Sequence, residues 1–81
     1  MKKKIYFKER WDSFPNKDTK HNDYRCEIFW KSFKWWPFWK KMDSVFDAQE
    51  KMSIFLKYDA EYSVFVWDEI FSQFVPLKYM L

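Results

Sequence analysis

The chain has no glycine, one cysteine and one histidine among its 81 residues, and each shortage removes a class of function. Without glycine there is no Gly-rich loop to cradle a phosphate or a dinucleotide. Type I′ and II′ hairpin turns and left-handed helix caps also favour glycine, so this backbone has to turn with Pro, Asn and Asp. Cys26 is alone and cannot found a disulfide framework. Cys26 and His21 together fall short of the four N or S ligands, or three plus water, that zinc requires. Nor do they suit a nucleophile and base, because strand residues of opposite parity point to opposite faces. His21 reads as a solvated side chain and Cys26 as a small buried hydrophobe. Asp43, Asp47 and Glu50 have the spacing of a carboxylate cluster on a helix face, and read as solvated helix acids. The composition predicts a chain that is not an enzyme and has neither cofactor nor metal site.

Long apolar runs are missing too. No stretch approaches the roughly 20 apolar residues of a membrane span. MKKK opens like a secretory signal, but IYFKERWDSF places charges where an unbroken apolar core is required. With a lone cysteine, this predicts an intracellular, cytoplasmic protein. The bias toward Lys, Phe, Tyr, Ile and Met, and away from Ala and Arg, is that of an AT-rich coding sequence, as in a low-GC bacterium or its phage. At 33% charged and 48% hydrophobic residues, the composition is globular rather than disordered. The length predicts one small domain over residues 1–81.

What the chain has is aromatic mass: ten Phe, six Trp and five Tyr. These concentrate in Trp30 to Met42, WKSFKWWPFWKKM, where six of thirteen residues are aromatic, four are lysines and none is acidic. Charge is divided as well. Residues 1–42 carry twelve Lys and Arg against five acids, or +7, and residues 43–81 carry three against seven, or −4. That division suits an anionic partner for the first half, or two halves that neutralise each other within the fold or between subunits.

Local patterns predict an α+β domain ordered strand, strand, helix, strand, helix (ββαβα), with an all-α three-helix arrangement as the alternative. Lys4–Phe14 and Thr19–Trp30 read as a β-hairpin around Pro15-Asn16-Lys17-Asp18. With Phe14 facing Thr19, Ile5 faces Ile28 and Phe7 faces Cys26. Alternation then puts Ile5, Phe7, Trp11, Tyr24, Cys26, Ile28 and Trp30 on one face. Lys4, Lys8, Arg10, Arg25 and Glu27 lie on the other, where Arg10 faces Asp23 but Lys8 opposes Arg25, an unfavourable pair. A rival helix over residues 24–36 also fits, because Cys26, Phe29, Trp30, Phe33 and Trp36 share a helical stripe.

Asp43–Tyr58 reads as a helix, with Ser44 and Asp47 as a capping box and Val45, Ala48, Met52, Phe55 and Leu56 as its buried stripe. Asp59-Ala60-Glu61 reads as a turn and Tyr62–Trp67 as a buried strand. Asp68 and Glu69 then open a second helix through Ile70, Phe71 and Phe74, ended by Pro76. One continuous helix from Ala60 to Val75 is the alternative there.

Binding is the function class that remains. Trp, Tyr, Phe and Met carry interface energy, and twenty-one rings exceed what so small a domain can bury. The sequence predicts a protein-binding module, a small inhibitor or accessory subunit, that contacts a protein partner or a second copy of itself. The contact residues are Trp35, Trp36, Phe38 and Trp39, with Lys34, Lys40 and Lys41 at the rim. Single-stranded nucleic acid is the alternative, with lysines on phosphates and indoles on bases, though no arginine is present there to read guanine. Trp and Lys together also suit a lipid interface, but the acids of residues 43–81 oppose an anionic membrane. Pro37 divides the segment, with Trp30 facing the core and Trp35 to Trp39 in a connection, the boundary falling between Phe33 and Trp36.

Overall fold

A computed structural model describes residues 2–81. It is an α+β fold in which five strands form one mixed sheet and a single helix covers one face. The strands are β1 (Lys3–Pro15), β2 (Asn22–Lys31), β3 (Lys40–Val45), β4 (Tyr62–Asp68) and β5 (Gln73–Pro76). Helix α1 (Ala48–Asp59) lies between β3 and β4, and a 3-10 turn (Leu77–Tyr79) follows β5. Sheet order is β3-β2-β1-β4-β5, with β1 and β4 parallel and every other neighbouring pair antiparallel. The all-α alternative and the rival helix over residues 24–36 are therefore excluded, since β2 takes up that stretch as far as Lys31 and a helix-free connection the rest.

The hairpin forms with the predicted faces but a different register. Phe14 faces Asp23, not Thr19, and Phe7 faces Trp30, not Cys26. The reason lies on the charged face. In the observed register Arg10 faces Glu27, Asp12 faces Arg25 and Lys8 faces Phe29. Every such pair is favourable, and the Lys8–Arg25 opposition has gone. The longer connection is closed without glycine by Asn16. Its Oδ1 accepts from the Asp18 N–H (2.9 Å), its Nδ2 donates to Asp23 (2.9 Å), and Lys20 takes the left-handed conformation, φ 58°.

Two elements differ from expectation. Lys40–Val45 is an edge strand, so the helix begins at Ala48 rather than Asp43. The capping box is Asp47 with Glu50: the Asp47 side chain accepts from the Glu50 N–H (2.8 Å), and Glu50 accepts from the Phe46 N–H (2.8 Å). Ser44 belongs to β3. The inward helix residues are accordingly Met52, Ile54, Phe55 and Tyr58, while Ala48 and Leu56 are exposed and Val45 enters the core from β3. Asp68 does begin a helix-like turn, its Oδ1 accepting from the N–H groups of Ile70 and Phe71 (2.9 and 3.3 Å). Ser72 then adopts a left-handed conformation, φ 50°, and the chain returns as β5 instead of continuing as a helix. This also excludes the continuous Ala60–Val75 helix.

The core lies between sheet and helix. Ile5, Phe7, Cys26, Ile28, Val45, Val64 and Val66 from the sheet pack around Phe55, with Leu77 closing one end. Phe55 and Phe7 are fully buried, with ring centroids 5.0 Å apart. One ion pair crosses this interface, Lys51 Nζ to Glu9 Oε2 at 2.6 Å, and the Lys51 ammonium also rests over the Trp11 ring. The shape is elongated. A radius of gyration of 14.0 Å exceeds the roughly 12 Å expected of a compact chain this long. The cause is the far half of the hairpin: β1 pairs with β4 only through Phe7, and β2 with β3 only from Cys26. Beyond these points two strands project alone.

Phe55→Ala should cost about 3–5 kcal/mol, a large share of the roughly 5–15 kcal/mol that holds a small domain folded, as measured by chemical denaturation. Ser72→Gly should act oppositely. Removing the left-handed penalty, less the entropy of a glycine, gains about 0.5–1 kcal/mol and raises Tm by several degrees.

Candidate functional site

The helix-free face of the sheet carries the side chains that alternate with the core. Tyr6, Phe65, Phe74 and Trp67 make a chain of ring contacts there, with centroids 5.0–5.3 Å apart. Lysines lie over rings of this face: Lys4 over Phe65, and Lys8 over Phe29 of β2 at 5.4 Å. Connection 32–39, between β2 and β3, comes back across the same face. Trp39 is its point of attachment, half-buried against Phe74 with centroids 6.1 Å apart.

Lys31 joins the two layers. It ends β2, is only 9% exposed, and donates from Nζ to the Trp36 carbonyl oxygen at 2.8 Å. The same ammonium lies 4.3 Å from the Trp39 ring centroid and 5.4 Å from that of Phe74. Lys8 reaches Trp39 as well, at 5.1 Å. Burial lowers the pKa of Lys31 below the ordinary lysine value, and the like charge of Lys8 lowers it further. A hydrogen-bonded carbonyl and two ring faces partly replace the water this cation has lost.

The expected contact residues divide in a way that Pro37 alone did not indicate. Trp35 is 87% exposed, Phe38 67% and Trp36 51%, and Phe33, expected on the core side of the boundary, is 70% exposed. Trp36 and Phe38 stand edge to face with centroids 5.7 Å apart, and Lys34 lies over its neighbour Trp35. Trp36 and Phe38, with Trp30 and Phe33, line an open depression of about 260 Å3. Trp39, expected among the exposed anchors, instead pins the connection to the sheet. Trp30 packs against the core as expected, with Lys40 over its ring. Lys41 turns to the helix-free face and pairs with Glu27 at 3.7 Å. Sequence reasoning missed Lys8, Lys31 and Phe74 as members of this surface. Lys31 counted only as one of the lysines of the Trp30–Met42 segment, Lys8 only as part of the hairpin's charged face, and Phe74 was assigned to a helix.

Among the described residues, the ion pairs are Arg10–Asp12, Arg25–Glu27, Lys41–Glu27 and Lys51–Glu9. Only Lys51–Glu9 among these joins the two halves, and it pairs a cation of residues 43–81 with an acid of residues 1–42, so these pairs do not offset the charge division. His21 is exposed in the hairpin turn and Cys26 is buried under the helix, where burial first and Glu9 second raise the thiol pKa. Cys26 is therefore a protonated, packed thiol at neutral pH. Asp43, Asp47 and Glu50 do not share a helix face, since Asp43 lies in β3 and Asp47 and Glu50 cap α1. Among the described residues no three His, Cys, Asp or Glu side chains converge, and no helix is long and apolar enough to cross a membrane.

As pH rises, Lys31 should lose its proton before an ordinary lysine, as read from its ε-methylene NMR signal. Between its folded midpoint and the unfolded value, the unfolded chain binds more protons, so Lys31 makes stability rise with pH in that window. Lys8→Gln should move the Lys31 midpoint upward while leaving it below the ordinary value; an unmoved midpoint would remove Lys8 as a contributor.

No protein-family model, no curated protein and no solved structure matches this chain.

Proposed function

We propose that the chain is a non-catalytic protein-binding module, of the kind used as a small inhibitor or accessory subunit, and that connection 32–39 is its contact surface. One observation carries this reading: Phe33, Trp35, Trp36 and Phe38 are each more than half exposed within a single short segment whose ends are held by β2 and β3. Side chains of this kind dominate interface energetics, and a contiguous exposed apolar patch marks a contact surface. The depression between Trp30, Phe33, Trp36 and Phe38 offers a socket for an apolar anchor of the partner. Lys34 and Lys40 supply a cationic rim suited to a partner with acidic margins, while the charge of Lys41 is met by Glu27.

Single-stranded nucleic acid is the second reading, and the open ring of Trp35 beside Lys34 favours it. Salt separates the two. Counterion release makes phosphate binding fall steeply as salt rises, whereas a contact centred on apolar rings changes little.

Affinity capture from an extract of the native host cell, comparing wild type with Trp36→Ala and Phe38→Ala, tests the main reading. Each variant should lose about tenfold or more in affinity, as for interface hot spots, with Tm nearly unchanged. Trp39→Ala should instead lower Tm, because its ring is packed on Phe74. Undiminished capture by both ring variants would exclude the connection as the contact surface.

A further inference from the structure

Beside the exposed rings, the helix-free face carries an open groove of about 670 Å3. Trp35 and Trp39 line it from the connection, Trp67 and Phe74 from β4 and β5, and three lysines (Lys8, Lys31 and Lys34) also line it. None of the ion pairs among the described residues involves any of the three. Lys8 and Lys31 share one indole, at 5.1 and 4.3 Å from the Trp39 centroid, so two like charges are held together in a partly dehydrated place. An ammonium has three donors. Lys31 uses one on the Trp36 carbonyl, which leaves two for another acceptor, although the side chain is nine-tenths buried.

We infer that this groove receives an aspartate or glutamate carboxylate from an acidic segment of the protein partner, seated between the ammonium groups of Lys8 and Lys31. The inference rests on the protein-binding reading above and names the chemistry of that partner. A carboxylate fits where a phosphate chain does not. The faces of Trp39 and Phe74 are taken up by lysines and by each other, so of the groove's rings only Trp35 stands more than half exposed, one stack where successive bases need several. Glu69 lines the same groove and would repel a polyanion threading along it, while tolerating one localised charge. Bound there, the carboxylate offsets the mutual repulsion of the two ammoniums, and its chain neighbours lie against Trp35.

The test uses the full chain and two blocked peptides, Leu-Glu-Phe-Glu-Leu and its glutamine counterpart Leu-Gln-Phe-Gln-Leu, titrated by NMR. The acidic peptide should bind about tenfold more tightly, as for a desolvated charge pair, and should shift the ε-methylene signals of Lys8 and Lys31. That preference should collapse in Lys8→Gln and in Lys8→Met, the second of which keeps an apolar stem over Phe29 and Trp39. Equal affinity for the two peptides overturns the groove assignment but leaves the aromatic surface standing, provided Trp36→Ala weakens both peptides alike. Failure of the acidic peptide to bind overturns the groove assignment as well. Tighter binding of oligo(dT) than of the acidic peptide at physiological salt overturns both.

Discussion

The arrangement of the helix-free face and of connection 32–39 turns on one buried cation. Lys31 stands at the end of β2, where the sheet gives way to a connection of eight residues, and its ammonium is bound from both sides. On the connection side the Trp36 carbonyl oxygen accepts a hydrogen bond from it, and on the sheet side Trp39 and Phe74 present ring faces. A lysine so placed loses hydration that no carboxylate restores, so the carbonyl and rings have to remain in position for the burial to be tolerable. That requirement holds Trp39 inward and leaves Phe33, Trp35, Trp36 and Phe38 outward. The exposed patch is thus a consequence of how the connection is tied down, not a set of rings left over from the core.

The absence of glycine works in the same direction. Asn16 and Asp68 close their turns with side-chain acceptors, and Lys20 and Ser72 occupy left-handed conformations that glycine would fill with less strain. At Asp68 this decides the topology. The carboxylate satisfies the N–H groups of Ile70 and Phe71 as a helix cap would, but Ser72 turns the chain back, and β5 brings Phe74 beneath Trp39. Had the segment continued as a helix, the connection would have lacked its apolar seat.

Much of the fold was legible where one period governs one face. The alternation of Ile5 and Phe7 with Lys4 and Lys8, and of Cys26 and Ile28 with Arg25 and Glu27, placed the core and charged faces of the hairpin correctly. The register was not legible, because it was referred to a four-residue turn, and the six-residue loop closed by Asn16 gives better pairs along the charged face. Lys40–Val45 was hidden because KKMDSV has few β-formers, and Ser44 with Asp47 imitates the capping box that Asp47 and Glu50 make. In the candidate site, the crowd of rings in residues 33–39 was legible from composition. The roles of Lys8, Lys31 and Phe74 were not, since they depend on strands distant in sequence that meet on one face.

The most direct measurement of the central claim is the 1H–15N spectrum of Lys31→Met, with backbone amides and indole N–H groups assigned. A methionine keeps the apolar stem and removes the ammonium. The account predicts that signals of Trp36, Trp39 and the amides of residues 33–39 move or broaden, while those of β1, β2 and α1 around Phe7, Ile28 and Phe55 stay in place. Unchanged signals across residues 33–39 would contradict it, since the rings would then hold their positions without the cation.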